Sequence, residues 1–100
     1  MSLESVTETL ARRAMDFTGL DALVKFDFGS DGQLCVDARE TPPVISQEDG
    51  EADCTIRVSI DDLEKLMAGA LNPTLAYTMG RLKVNGSLGL AMKLAARLED

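Results

Sequence analysis

The chain has 100 residues and a mass of 10.8 kDa, and 45% of its residues are hydrophobic, which is enough for one folded domain over residues 1–100. With 17 acidic and 10 basic side chains the net charge is −7, and such a charge disfavours binding to the phosphates of nucleic acids. The absence of histidine excludes catalytic triads and zinc sites that are built on imidazole.

The first predicted element is an amphipathic helix at the N-terminus. Apolar side chains recur at spacings of three and four from Leu3 to Phe17, which places them along one stripe of a helix. Ser2 is expected to cap the N-terminus of this helix, and Gly19 is expected to follow it as a stop signal.

Alternation of apolar and polar residues then predicts strands. The first two, 23–28 and 34–39, flank the turn cluster Gly29–Gly32 and are expected to pair as a hairpin. An irregular, acidic stretch follows, in which Val44–Ile45 can form a short edge strand next to two prolines. Another alternating stretch, 54–58, predicts the next strand.

Capping residues mark three further helices, with a strand between the last two. Ser59 begins a helix through a variant of the capping box, and Asn72-Pro73 begins another that Gly80 ends. A short alternating strand at 81–84 is followed by Ser87, which is expected to cap the final helix. That helix is apolar around more of its circumference than an ordinary surface helix.

These elements predict an α+β fold. Because each strand alternates, each has one exposed face, which favours a single antiparallel-rich sheet covered by helices on one side. The open face is expected to carry charged side chains that pair weakly where opposite signs meet on neighbouring strands, namely Lys25, Asp27, Asp37, Arg39, Arg57 and Lys83.

The cysteines and the N-terminus indicate the compartment. Cys35 and Cys54 lie far apart in the sequence, unlike the C-x-x-C pairs of redox and zinc motifs. The first residues include Glu4 and Glu8 and lack the apolar stretch of a signal peptide. No apolar run approaches the roughly 20 residues that a spanning helix requires. We therefore expect a cytoplasmic protein with reduced thiols and no integral membrane segment.

The second half of the chain carries an ordered series of motifs. It reads A-D-C-T-I at 52–56, L-M-A-G at 66–69, N-P at 72–73, G-R-L-K-V-N-G at 80–86 and L-G-L-A-M-K-L at 88–94. In this order the motifs resemble the sterol carrier protein type 2 family nearly residue by residue. The N-terminal half resembles the family more loosely, through its helix and its paired alternating strands.

The resemblance implies a five-stranded mixed, largely antiparallel sheet with helices packed on one face. It also implies an apolar tunnel between helices and sheet that holds a lipid, which is a sterol, a fatty acid, a fatty acyl-CoA or an isoprenoid. The implied function is binding and transport of this lipid, without catalysis and without a cofactor or metal. Bacterial relatives occur without sterols, so an acyl chain or a quinone-like isoprenoid is the expected cargo in a bacterial protein.

Two departures from the family concern the C-terminus. The chain ends in Leu98-Glu99-Asp100 and lacks a peroxisomal tripeptide. Relatives also carry a further segment that covers the tunnel mouth, so here we expect an open mouth or a homodimer that shields it. The stretch 39–53 is also shorter than in longer members of the family.

A carrier needs apolar, deformable walls, and methionine suits that purpose. Met67, Met79 and Met92 are expected on inward-facing helix positions, although for each single residue ordinary core packing is the better explanation. A lipid that buries on the order of 400 Å² gains about 10 kcal/mol, and after association costs this leaves a dissociation constant of roughly tens of micromolar. The expected ligand-binding wall consists of Phe26, Phe28, Val36, Leu66, Met67, Leu75, Met79, Leu90, Met92 and Leu94.

Two hypotheses stay open. The first is a lipid carrier with a closed cavity, and the second is an accessory module whose apolar groove docks a partner protein or presents an isoprenoid to an enzyme. An enzyme is not expected, because Asp61 and Asp62 are best explained as first-turn charges on a helix dipole and no nucleophile lies at a base-compatible spacing. The acidic stretch 48–53 lacks the spacing of a calcium loop, and the turn at 86–89 is best explained by capping, with docking of a phosphate head group as the alternative.

Overall fold

The N-terminal helix is shorter than expected. The computed structural model describes residues 2–47 and 50–98, and in it α1 spans Leu3–Arg12, with the Ser2 hydroxyl accepting the Ser5 backbone N–H at 3.2 Å. A 3₁₀ turn over Ala14–Phe17 follows. The prediction of one continuous helix to Phe17 is therefore wrong, because the α-helix ends at Arg12 and the chain continues as the 3₁₀ turn. The Phe17 ring at the end of this turn enters the core at 1% exposure.

Five strands form one mixed sheet, which confirms the predicted fold class. They are β1 (Leu23–Asp27), β2 (Gln33–Asp37), β3 (Val44–Ser46), β4 (Cys54–Val58) and β5 (Leu82–Gly86), in the spatial order β3-β2-β1-β4-β5. The two central strands, β1 and β4, run parallel, and the other three neighbouring pairs run antiparallel. A short 3₁₀ turn over Gly29–Asp31 connects β1 to β2.

The remaining helices begin where their caps predict. They are α2 (Ile60–Met67), α3 (Pro73–Thr78) and α4 (Leu88–Leu98). A side-chain oxygen of the preceding residue accepts a first-turn N–H in each helix, which satisfies donors that would otherwise lack an intrahelical partner. The three capping residues are Ser59, Asn72 and Ser87.

The sheet has one buried and one open face. Along β1, Val24 and Phe26 are fully buried, whereas Lys25 and Asp27 on the other face retain partial exposure. Among the described residues no polar or charged residue is buried, so the core between sheet and helices is entirely apolar. Strand alternation therefore predicts correctly which side chains enter the core.

Ion pairing on the open face differs from expectation. Asp37 does not pair with a neighbouring strand but with Arg39 two residues along the chain, through contacts of 2.9 and 3.0 Å. The guanidinium lowers the pKa of the Asp37 carboxyl through these hydrogen bonds. The reason is local, because Arg39 lies in the turn that follows β2, where its backbone N–H also donates to the Asp37 carboxylate at 3.1 Å.

Two acidic pairs, at 48–49 and 99–100, fall outside the described residues, and so does part of the stretch considered as a calcium loop. No helix within 2–47 and 50–98 has both the length and the apolar character that crossing a bilayer requires.

Candidate functional site

The structure brings most of the expected wall residues together in one place. Six belong to the continuous core between sheet and helices, and Leu90 and Met92 are half-buried against that core. Leu75 on α3 and Met79, the residue that follows this helix, lie on the exposed surface, at 53% and 56% exposure. The six core members are Phe26, Phe28, Val36, Leu66, Met67 and Leu94.

The side chain of Met79 does not face the sheet, so the expectation that it points inward is wrong. In α3 it is Ala76 that is fully buried, and a helix of six residues can turn only a narrow stripe toward the core. The apolar spacing of Leu75, Ala76 and Met79 is compatible with an inward stripe, but the short helix sits with its small residue against the core. Sequence spacing alone does not distinguish these orientations.

The interior around Phe26, Val36 and Leu94 is filled by side chains. A void that holds a water molecule leaves accessible surface on its walls, and Phe26, Val36 and Leu94 have none. The Phe26 and Phe28 rings stack nearly parallel, with centroids 6.2 Å apart, which adds to the packing on the sheet side. A guest in this layer would therefore have to displace side chains that now occupy it.

A groove runs beside α4. It brings together Leu90, which is expected in the ligand-binding wall, and part of the turn at 86–89, for which docking of a phosphate head group is the alternative explanation. It has a volume of about 590 Å³ and separates Gly19 and Leu20 from the side of α4 that carries residues 89 to 97. Leu20 and Leu90 are half-buried apolar members of its walls. Sequence reasoning missed Leu20 because it stands outside every periodic pattern, and only the neighbouring Gly19, with φ +93°, marks the turn that brings it there. The groove residues from the capping position and from α4 are Ser87, Gly89, Leu90, Lys93, Ala96 and Arg97.

Two arginines link the segment before this groove to α4. The Arg97 guanidinium donates to the carbonyl oxygens of Thr18 and Asp16, at 2.6 and 3.3 Å. In the opposite direction Arg13 donates to the carbonyl oxygen of Leu98 at 2.6 Å. A cation at that position satisfies a C-terminal carbonyl of the helix and interacts favourably with the helix dipole. We call this pair of reciprocal contacts the arginine clasp.

A second cleft, of about 250 Å³, lies where β1 and β4 end, and it carries the cations Arg57, Arg81 and Lys83. Arg81 is not available there as a free charge, because it forms an ion pair and hydrogen bonds with Asp62 on α2. The pair lowers the pKa of the Asp62 carboxyl, chiefly through the hydrogen bond from Arg81. The cleft is thus bridged by a structural ion pair that ties α2 to the start of β5.

The described residues offer little for catalysis. Both cysteines are free and buried, and burial raises the pKa of the Cys54 thiol, which favours its unreactive form. Among residues 2–47 and 50–98 no group of three or more acidic or cysteine side chains is arranged to hold a metal ion. The arrangement instead provides an apolar layer and a groove that leads along its edge.

Comparison with known proteins relates this architecture to lipid-carrying proteins. The model of the SCP-2 sterol transfer family matches residues 4–99. Sterol carrier protein 2 of Bos taurus is 51% identical over 51 residues, which are 51% of this chain and 9% of that protein. Peroxisomal multifunctional enzyme A of Dictyostelium discoideum is 38% identical over 68 residues, which are 68% of this chain and 13% of that protein. The chain thus spans about a tenth of the length of these curated relatives.

Among solved structures, the solution structure of palmitated SCP2L2 from Aedes aegypti superimposes with a TM-score of 0.76. It is 21% identical, and the superposition covers 98% of this chain and 95% of that one. At this level of identity the likeness shows the shared fold.

Proposed function

The chain belongs to the SCP-2 sterol transfer family, whose members bind and transfer lipids, and from this premise we propose that it is a non-catalytic carrier of a single hydrophobic lipid. The observation that carries the proposal is the wholly apolar layer between sheet and helices, in which no described residue buries a polar group. A lipid placed there would meet only hydrocarbon walls and would gain from leaving water.

The proposed binding site is the interior next to α4, entered from the groove. Its wall consists of the core residues expected from the sequence together with Leu90 and Met92, and Leu20 is added from the other side of the groove. The groove volume of about 590 Å³ lies in the range of ligand pockets, about 300–1,000 Å³. Leu75 and Met79 are left out of this site, because both are more than half exposed on α3.

An acyl chain is the cargo that we propose first. Because the interior is filled, an occupant has to enter by shifting individual side chains, which a thin flexible chain does at lower cost than a rigid ring system. Methionine and leucine walls adapt to such a shape. The palmitated relative from Aedes aegypti supports the same choice. A fatty acyl-CoA, an isoprenoid and a sterol are the alternatives that the binding experiment compares.

Native mass spectrometry of the protein purified from cells, followed by extraction and identification of adducts, tests the proposal. The expected result is a hydrophobic adduct, and a clean mass after gentle purification together with no uptake of fatty acid would refute it. The same spectra report whether two copies associate, as expected of a homodimer that shields the tunnel mouth.

Two variants locate the guest. Leu90→Asp places a charge on the groove wall and is expected to reduce affinity for a fluorescent fatty acid by more than tenfold, since an apolar contact becomes a desolvated carboxylate. Met79→Glu, on the exposed face of α3, serves as the matched control and should leave the affinity within about twofold. The opposite pattern, in which Met79→Glu abolishes binding in a folded protein, would show that the lipid binds at the surface of α3 instead.

A further inference from the structure

The proposed carrier needs a route into an interior that is filled, and we infer that residues 13–20 form a gate that the arginine clasp holds shut. The inference rests on the proposed function and adds to it the element that moves. It assigns Arg97 and Arg13 as positioning residues that control the rate at which a lipid enters and leaves, and it makes Phe17 the side chain that closes the entrance.

The clasp is reciprocal, which is why it can act as a latch. Arg97 reaches from α4 to two backbone carbonyls of the segment, at Asp16 and Thr18. Arg13 reaches from the segment to the carbonyls of Arg97 and Leu98, at 3.5 and 2.6 Å. The two side chains thus connect residues 13–20 with α4 in opposite directions. Most of these contacts lie at the protein surface, where water can replace them when the segment moves away from α4.

Phe17 lies beneath the clasp. Its ring is 1% exposed and is among the largest fully buried side chains of the described chain. The 3₁₀ turn that carries it contacts α4, the helix that contributes Leu94 to the core. Lifting the turn would withdraw the ring from the core and open an apolar space. Because the groove already lies between Leu20 of this segment and Leu90 of α4, the new space would be continuous with the groove.

The backbone is suited to such a movement. The hydrogen bonds of the segment are local, with Thr18 N–H donating to Met15 and Leu20 N–H donating to Phe17. They would travel with the segment when it moves. Gly19 has a φ of +93°, and no other part of the protein lies within 4 Å of the position that a Cβ atom would occupy there. This glycine can therefore absorb the change in dihedral angles at the end next to β1.

Stopped-flow fluorescence with cis-parinaric acid tests the gate. Loss of the two Arg97 hydrogen bonds in Arg97→Ala should favour the open state by about tenfold, given the strength of charge-assisted bonds. Association and dissociation should both accelerate by about that factor, while the equilibrium dissociation constant changes by less than about twofold. Arg12→Ala is the matched control, because it removes an exposed arginine whose side chain contacts Thr9 within α1. Its rates should equal those of the wild type.

A general loss of stability has to be separated from local opening. Asp62→Asn should destabilise the opposite end of the sheet, where Asp62 pairs with Arg81, without touching the clasp or the groove, and its binding rates should remain within about twofold of the wild type. Equal acceleration in Asp62→Asn and Arg97→Ala, or unchanged rates in Arg97→Ala, would overturn the gate. If Arg97→Ala does not fold, Arg97→Lys and Arg13→Lys keep the charge but lose the forked geometry, and they should show the same acceleration to a smaller extent. Failure of the wild type to bind any lipid would instead refute the proposed function.

Discussion

Replacing Leu94 by alanine tests whether the layer beside α4 is filled in solution. Leu94 is 0% exposed and belongs to the core, and its truncation removes three carbon atoms. At about 0.8 kcal/mol per buried methylene the transfer cost is roughly 2.4 kcal/mol. A cavity left in a rigid surrounding adds to this, and leucine-to-alanine changes in packed cores cost about 2.7–5 kcal/mol. We expect Leu94→Ala to lower the free energy of unfolding by about 3 kcal/mol.

Urea denaturation followed by far-ultraviolet circular dichroism measures this loss, since the chain lacks tryptophan and its one tyrosine, Tyr77, is largely exposed. Leu63→Ala, at an equally buried leucine on α2, is the matched control with the same chemistry. If Leu63→Ala costs about 3 kcal/mol while Leu94→Ala costs less than about 1 kcal/mol, Leu94 already borders an empty space. The interior would then be an open tunnel, and a lipid would need no gate to enter it.

Further predictions concern stability at the sheet edge and in acid. Gly86→Ala should cost at least about 2 kcal/mol by urea denaturation, since φ is +101° and the new Cβ would lie 2.6 Å from the Asp53 carbonyl oxygen. Gly89→Ala, which meets nothing within 4 Å, should instead be neutral or gain about 0.5 kcal/mol. The lowered pKa of Asp62 means that its pairing with Arg81 stabilises the fold above the unfolded value of 3.8 and that this contribution disappears as the pH falls through the lower folded value. Thermal unfolding between pH 2 and 6 should show a shallower loss in acid for Asp62→Asn, and an unchanged slope would contradict the pairing.

The parts of the fold that local chemistry determines were predictable from the sequence. Strand alternation identifies Val24 and Phe26 as core residues, because consecutive side chains on a strand point to opposite faces. The helix starts follow from Ser59 and Asn72, whose side chains satisfy first-turn donors in any tertiary context. The order of motifs between residues 52 and 94 indicated the family, and the family implied the mixed sheet.

What the sequence did not reveal depends on contacts between distant residues. The break of the first helix at Arg13 is coupled to α4, more than 80 positions away, since Arg13 bonds to the end of that helix. The burial of Phe17 agrees with its place on the predicted apolar stripe. The exposure of Met79 depends on the orientation in which a short helix packs against the core, and the spacing of apolar residues does not determine that orientation. A surface groove such as the one at Leu20 arises only when two such segments meet.

The parallel pairing of β1 with β4 has a consequence for how the chain acquires its structure. The N-terminal strands form one three-stranded ribbon, and the C-terminal strands form an antiparallel pair that is connected through α2 and α3. These two pieces join only along the centre of the sheet. During synthesis the ribbon would emerge with the inner edge of β1 unpaired until β4 is translated. Such an edge is a template for association with other chains, so folding of this domain should be all-or-none, and a polypeptide truncated before Cys54 should aggregate rather than fold.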